Sequence, residues 1–531
     1  MSYPRKIHPL VVEDEGDASI NYRDIFSALA QDFDLVAPRF AQSVDDAKAA
    51  LRTSTIFHLL VLDLGLPQHR RGQADPGVEP GLEILDLAIN RHEYPIPAVV
   101  IISGRLNQTK LPGLWERLQK FWYGQPINKG VDEDVEIAKA LRAINRYSDV
   151  GIHVQDGQNN LCPTLAPREE DMLRRCILKQ EQCIGVDLEW WGSYTSHSST
   201  HTAGGPSFTK VLAGRFILDN GMEFSHPTFF KFEAAENAPY VQRDVAIMHQ
   251  KLNHVKVACA MTAPPRSLLV TQKVGDSQGR PVPLADFLRA AADAVLPRLQ
   301  GVVADVAEQL RRLGEEREEQ RVVREILWPH HQRERLEELW SQYACAPGGE
   351  APESNPLTLL DELRRNETSV WVPIRACTHG DLNSTNVALD AENEQIRAYI
   401  FDAAGVKQDV SLRDFATLEV TSLLHHPRSV GAGMVRGCAD LYDTFVMPPE
   451  TFNSGTGSDL LRNTRELIAS IRRHAAHSHE AEYALMVYDV AMLQLGGLAI
   501  EVSGNKISDP VEAALLAGLI AKWYRRITTL A

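Results

Sequence analysis

The sequence predicts two architectures in one chain: a doubly wound α/β unit with a five-stranded parallel sheet, then an α+β region in which a small antiparallel sheet precedes a large helical part. Three observations predict it. Over residues 1–148, short and nearly all-apolar β-branched runs alternate with helical periodicity, the pattern of a parallel sheet covered on both faces. From 169 to 276 the runs alternate apolar with polar residues, as strands of an antiparallel sheet do. Beyond 276, Ala, Leu, Glu and Arg recur at helical spacing. The length of 531 residues accommodates roughly three structural units.

In the first unit HPLVVEDE, FDLVAP, FHLLVLDLGLP and PAVVIISG read as strands, and a fifth strand ends before Lys129. Helices are expected through 26–29, 43–51, 82–89, around 114–121, and over 131–147. Residues 149–168, DVGIHVQDGQNNLCPTLAPR, lose that periodicity and gather Asp, Gly, Asn and Pro, so they read as a linker. A helix follows (EEDMLRRCILKQ), then strands in IGVDLEWWGSY, KVLAGRFIL and PTFFKFE, a helix over 240–252, and strands near 256–261 and 267–274. The helical part runs from 277 to 531. The stretches 284–313 and 315–343 read as helices, with the mixed-sign run RRLGEEREEQRVVRE as a solvated helix face. Residues 346–356 read as a loop, VWVPIRACTHGDL and IRAYIFDAAGV as two short strands, and 510–524 as an amphipathic terminal helix packed on the core.

Composition narrows the function classes. Hydrophobic residues at 44% and charged residues at 24% exclude a disordered or fibrous chain. The 55 Lys and Arg against 70 Asp and Glu, a net charge of −15, argue against a duplex-coating surface, so nucleic acid is a disfavoured partner. Seven cysteines with no C-x-x-C pair signal neither a zinc site nor a disulfide framework. Reduced thiols and the absence of any apolar window approaching about 20 residues give the expectation of a cytoplasmic protein with no membrane partner.

Ligands of a parallel sheet gather at the carboxyl ends of its strands, and the first unit places its polar residues there. Glu13 and Asp14 end the first strand, Asp63 the third and Ser103 the fourth, while Lys129 follows the fifth. Three carboxylates brought together repel unless a hard divalent cation sits among them, and Mg²⁺ suits such oxygens while keeping water sites open for a phosphate. Asp63 would then be a nucleophile forming an acyl phosphate, Ser103 a hydroxyl gripping phosphoryl oxygens, and Lys129 the paired cation. VVEDE, LLVLDLGLP, VVIISG and PINKG, in this order over about 5–147, resemble the receiver domain of two-component response regulators. The resemblance implies that Glu13, Asp14 and Asp63 hold Mg²⁺, that Asp63 accepts phosphate from a histidine kinase or a small phosphodonor, that Ser103 and Lys129 relay the change, and that the chain can form a homodimer. Two departures stand out: Pro126 precedes Ile127-Asn128-Lys129 where the family has Pro after its Lys, and the loop QHRRGQADPGVEP is long.

A second cluster is THGDLNSTNVALD followed by IRAYIFDAAGV. Phosphoryl transfer from a nucleotide needs a carboxylate to orient the attacking hydroxyl and oxygen ligands for Mg²⁺. Asp381, Asn386 and Asp402 supply that set, and the H-x-D-x-x-x-x-N spacing with Asp at a later strand end matches the catalytic loop of the protein-kinase fold. The HGDLNSTN form, with Gly380 between His379 and Asp381, and RDFATLEV after it resemble the aminoglycoside phosphotransferase and choline-kinase-like branch over roughly 185–531. That resemblance implies a bilobal fold that uses ATP or another nucleoside triphosphate. Asp381 would be the catalytic base, Asn386 and Asp402 the Mg²⁺ ligands, and His379 a residue orienting the loop. Gly204, Gly205 and Ser207 would tip a strand-loop-strand over the phosphates. Lys231 would hold the α/β-phosphates with Asp244 as its partner and Glu236 as runner-up, and LLVTQKVGD would receive the adenine. His197, His201, His330 and His331 lack a carboxylate at ligand spacing and read as surface residues.

Together the sites give the expectation of a bacterial-type signalling protein. Phosphorylation of a receiver aspartate would regulate an ATP- and Mg²⁺-dependent phosphotransferase acting on an unknown hydroxyl acceptor. The alternative is a non-catalytic nucleotide-binding or scaffolding protein of kinase-like fold under receiver control.

Overall fold

A computed structural model describes residues 6–530 apart from 54, 69–79, 91–94, 105–112, 155–164, 181, 191–209, 223–227, 253–254, 264–265, 274–280, 329–332, 345–354, 391–395, 402–405, 425–432, 444–457, 476–478 and 499–509. The first unit runs β1 (Pro9–Val12), α1 (Gly16–Leu29), β2 (Arg39–Ala41), α2 (Val44–Leu51), β3 (Leu59–Leu62), α3 (Pro80–Ile89), β4 (Ala98–Ser103), α4 (Leu114–Leu118), β5 (Tyr123–Asn128) and α5 (Glu133–Ser148). Its five strands are all parallel, in the order β2-β1-β3-β4-β5.

Alternate residues of each strand supply the two faces. Leu10, Val12, Leu60 and Leu62 pack under α2, α3 and α4. Val11, Val61 and Val100 pack against Tyr22 and Phe26 of α1 and Ile137 and Leu141 of α5. This is the doubly wound sheet the apolar runs predict. One element shifts: in FDLVAP only Leu35 makes a bridge, to Ile7, and the ladder forms at Arg39–Ala41. The strand starts after Pro38, which has no N–H to give a ladder. Ser43 caps α2 by accepting from the Asp46 N–H.

The second sheet contains β6 (Gly151–Val154), β7 (Cys183–Trp190), β8 (Lys210–Leu218), β9 (Thr228–Ala234), β10 (Val255–Ala263) and β11 (Arg266–Lys273) in the order β10-β11-β9-β8-β7-β6. Helix α6 (Pro167–Lys179) precedes β7, and α7 (Ala238–Leu252) joins β9 to β10. All neighbours are antiparallel except β6, which pairs parallel to β7. Within 149–168, expected to be a linker, residues 151–154 form a paired strand. The glycines at the pairing make it possible: a Cβ on Gly185 would stand 2.7 Å from the Gly151 carbonyl oxygen. Residues 155–164 lie outside the described residues.

The rest of the chain adds β12 (Val282–Pro283), α8 (Leu284–Phe287), α9 (Ala292–Leu313), β13 (Glu316–Val322), α10 (Val323–Ile326), α11 (Arg333–Ala344), α12 (Pro356–Arg365), β14 (Ser369–Arg375), β15 (Val387–Asp390), β16 (Arg397–Ile400), β17 (Asp409–Val410) and α13 (Leu412–Leu424). Helices Met434–Gly437, Asp459–Ala475, Glu480–Leu498 and Pro510–Leu530 follow. Every residue of α13 is buried, so it is the axis of the large core. Ala513, Leu516, Ile520 and Trp523 of the last helix pack on that core, as its spacing predicts. No helix among the described residues is long and apolar enough to cross a membrane.

The run EREEQRV, expected to be helical, is strand β13. Gly314 leaves α9 in an extended conformation, and Ser369–Arg375 offers a seven-residue antiparallel partner. Tertiary pairing overrides the helix propensity of Glu and Arg, and the exposed charges protect this edge strand from pairing further.

Candidate functional sites

The first site is built by register. Asp63 donates its backbone N–H to the Val12 carbonyl, and Glu13 donates its own to Ala41, so the first residues beyond β3 and β1 are fixed side by side. One carboxylate oxygen from each of Glu13, Asp14 and Asp63 lies within 4.8 Å of the others. Lys129, carried just past β5, reaches into this group. Its Nζ stands 3.0 Å from Glu13 Oε2, 3.2 Å from Asp63 Oδ2 and 3.1 Å from Glu15 Oε2. Gly65 N–H donates to Asp63 Oδ1 at 3.0 Å. Ser103, 1% exposed, ends β4 opposite Asn128.

Burial pushes the Glu13 carboxyl up to about 7 and Asp63 adds to this, against the pull of the Glu15 N–H and of Lys129. Burial also disfavours the Lys129 charge, but Glu13, Glu15 and Asp63 outweigh it and hold the ammonium above its usual range. Three acids, Glu13, Glu15 and Asp63, pair with Lys129, Asp14 lies beside them on the exposed side, and the clustered carboxylates offer only hard oxygens. That donor set fits Mg²⁺ with an open side for water or phosphate. The structure therefore brings together Glu13, Asp14, Asp63 and Lys129 of the five residues singled out from the strand ends, and the ladder places Ser103 at the end of the neighbouring strand β4. It also adds two. Glu15 pairs with Lys129 and was readable in EDE only as a third acid. Glu133 accepts the Gly130 N–H at 2.6 Å and fixes the turn that carries Lys129.

The second site is a loop held from below. Gly380 adopts φ +81°, a left-handed conformation that explains glycine between His379 and Asp381. Asp414, at the start of α13 and 1% exposed, accepts from the His379 N–H at 2.9 Å and the Gly380 N–H at 3.0 Å. Burial pushes the Asp414 carboxyl up, opposed by His379 and the two N–H groups. His379 is fully buried. Its Nε2 meets the Phe401 carbonyl at 2.9 Å, which can only accept, so that nitrogen carries the proton and Nδ1 receives the Asp381 N–H at 3.4 Å. Asp381 is oriented by two amides: Asn383 Nδ2 donates to Oδ1 at 3.3 Å, and Asn386 Nδ2 donates to Oδ2 at 3.4 Å and to the backbone oxygen at 2.8 Å. Asp414 was present in RDFATLEV, but only the fold shows that it clamps a loop more than thirty residues away.

Lys231 lies on β9 between Val211 of β8 and Leu269 of β11 in the register. Those neighbours belong to an apolar cluster with Phe229, Ala388 and Phe401, so Lys231 is on the sheet face that meets β15 and β16. Phe229 and Phe401 stack at 4.5 Å between ring centroids, with an interplanar angle of 9°. Asp244 is buried on α7. It accepts the Val406 N–H at 3.4 Å and pairs with Arg243, whereas Glu236 is exposed in the turn after β9. Asp402, Gly204, Gly205 and Ser207 lie outside the described residues, as do His197, His201, His330 and His331 and the 274–276 end of the expected hinge. The described cysteines, Cys176, Cys183, Cys259, Cys377 and Cys438, are buried free thiols.

No family model matches the sequence, and no curated protein matches it. Among solved structures, a protein from Ralstonia eutropha JMP134 described as a candidate aminoglycoside phosphotransferase is similar over 62% of this chain and 94% of its own, at 11% identity and a TM-score of 0.31. A microcompartment-associated aminopropanol kinase is similar over 56% of this chain and 92% of its own, at 15% identity and a TM-score of 0.23. Likeness this distant leaves the functional argument to the residues themselves.

Proposed function

We propose that the chain is an ATP- and Mg²⁺-dependent phosphotransferase acting on a hydroxyl acceptor, joined to a receiver-like unit whose Asp63 accepts a phosphoryl group. One observation carries the reading: Asp381 is oriented through both carboxylate oxygens by Asn383 and Asn386, on a loop that His379 and Asp414 anchor to the core. An acceptor hydroxyl needs such a fixed carboxylate to be aligned and to lose its proton. Asn386 and Asp402 are the residues that would hold Mg²⁺, which would neutralise the phosphates. Lys231 lies on the third of the antiparallel strands, where a kinase-type fold keeps its phosphate-holding lysine. In the receiver-like unit Glu13, Asp14 and Asp63 would hold a second Mg²⁺, and Ser103 and Lys129 would grip the phosphoryl oxygens on Asp63.

A second reading, a non-catalytic nucleotide-binding or scaffolding protein, is favoured by the Phe229–Phe401 stack. Rings 4.5 Å apart leave no room for a base between them, and they fill the space between the strand of Lys231 and the strand before Asp402.

Labelled ATP with Mg²⁺, followed for nucleotide turnover and for label on the protein, separates the two. Turnover that disappears in Asp381→Ala establishes the enzyme. Stimulation by acetyl phosphate that disappears in Asp63→Ala establishes the control. Binding of Mg·ATP without turnover in any state selects the second reading.

A further inference from the structure

Helix α6 is buried on two opposite sides, and each side grips a different unit. Toward the first unit, Arg174 Nη1 donates to the carbonyls of Tyr147, Ser148 and Val150 at 3.1, 3.3 and 2.9 Å. The first two belong to the last turn of α5, whose carbonyls have no partner within the helix and form the negative end of its dipole. Tyr147, fully buried, donates its hydroxyl to Asp171 at 2.7 Å. Arg175 pairs with the same Asp171 and donates to the Lys120 carbonyl just after α4. Arg168 donates to the Ile89 carbonyl at the end of α3 at 2.7 Å. Three arginines of one helix thus bind at or just beyond the carboxyl ends of α3, α4 and α5.

Toward the second unit, Met172, Leu173, Cys176 and Ile177 pack on the sheet. Glu169, fully buried at the first turn, pairs with Lys210 of β8 and stands 3.6 Å from Arg266 of β11. Lys210 is opposite Phe232, so it is the immediate neighbour of the Val211–Lys231 pair, on the other face of the sheet. A buried carboxylate cannot shift away from its cations without stranding charge, so Glu169, Lys210 and Arg266 must move together.

We propose that α6 is the relay by which a phosphoryl group on Asp63 alters the strands that carry Lys231. The proposal rests on the reading of Asp63 as phosphoacceptor. An Asp63 oxygen bonds to phosphorus as the phosphorus–oxygen bond of an acyl phosphate such as acetyl phosphate breaks and acetate leaves. The added charge draws on Lys129, which sits on the turn that starts α5. The arginines bring a change in α5 to α6, and Glu169 passes it to β8 and β11.

Hydrogen exchange on the full chain tests this without requiring any turnover. The probe is Mg²⁺ with beryllium fluoride, which loads an aspartate as a phosphoryl mimic. In the wild type, exchange in α5, α6 and β8 is expected to change by at least about two-fold on loading, as the local opening of these elements changes. Asp63→Asn should abolish all of it. In Glu169→Gln the change should reach α6 and stop before β8. Tyr147→Phe, which removes one hydroxyl, should weaken the response of both α6 and β8, and keeps the test decisive if Glu169→Gln does not fold. A wild-type response confined to 6–148, or an equal β8 response in Glu169→Gln, overturns the relay while leaving the Asp63 reading intact. No response anywhere overturns both.

Discussion

At the scale of single residues, the two sites depend on two different physical devices. Glu13 depends on burial. Its carboxyl is pushed up to about 7, so the fold favours the protonated form, and the stability it contributes is present below its ordinary value and lost as pH rises toward 7. Mg²⁺ needs the ionised form, so proton and metal compete in the opposite sense. Mg²⁺ affinity is expected to fall as pH drops below about 7, by up to ~10-fold per unit. Calorimetry at pH 6 and 8 checks it, and Glu13→Gln should bind weakly at both. The loop of Asp381 depends instead on a backbone conformation. Gly380→Ala forces a side chain into φ +81° and is expected to cost roughly 1–2 kcal/mol. Turnover should fall further than the melting temperature does, because the strain sits between His379 and Asp381. His379, Asp381 and Asn386 were legible from their spacing. Asp414 was visible as a residue but not as a clamp, because a hydrogen bond between residues 380 and 414 leaves no local signature.

At the scale of elements, the continuous apolar runs were informative and the helix pattern less so. The apolar runs of β1, β3 and β4 are legible because both faces of their sheet are covered, so every position must be apolar. EREEQRV is misleading because β13 is an edge strand with little buried surface, so nothing in its composition reflects its pairing. Strand β6 is hidden for a related reason: it is four residues long and glycine-led. Close approach of backbones makes the second sheet sensitive at Gly214, where a Cβ would stand 2.2 Å from the Asp187 carbonyl oxygen. Gly214→Ala is expected to cost about 3 kcal/mol through overpacking, read as a lower urea midpoint. Gly221→Ala, with open space around it, should act only through its positive φ and cost less.

At the scale of the whole molecule, the boundary near residue 149 is continuous rather than a hinge. Tyr147 and Val150 belong to the same buried cluster as α6 and the second sheet. A fragment ending at 150 would expose Tyr147 and leave the Arg174 acceptors to water, whereas one ending at 180 keeps α6. The longer fragment is expected to melt several degrees higher, since ~1 kcal/mol moves a domain of this size by about 2–8 °C. Equal melting temperatures would mean that α6 adds nothing to the first unit.

The sequence by itself singled out the candidate site residues and determined the type of most elements, because strand-end acids, the H-x-D-x-x-x-x-N spacing and apolar periodicity are local patterns. Only the tertiary structure decided that Lys129 meets Glu15 as well as Asp63, that Asp414 holds the loop of Asp381, that Phe229 lies on Phe401, and that α6 is shared by both units. Each of these is a contact between distant positions, and such contacts are set by how sheets and helices pack rather than by the residues on either side of them.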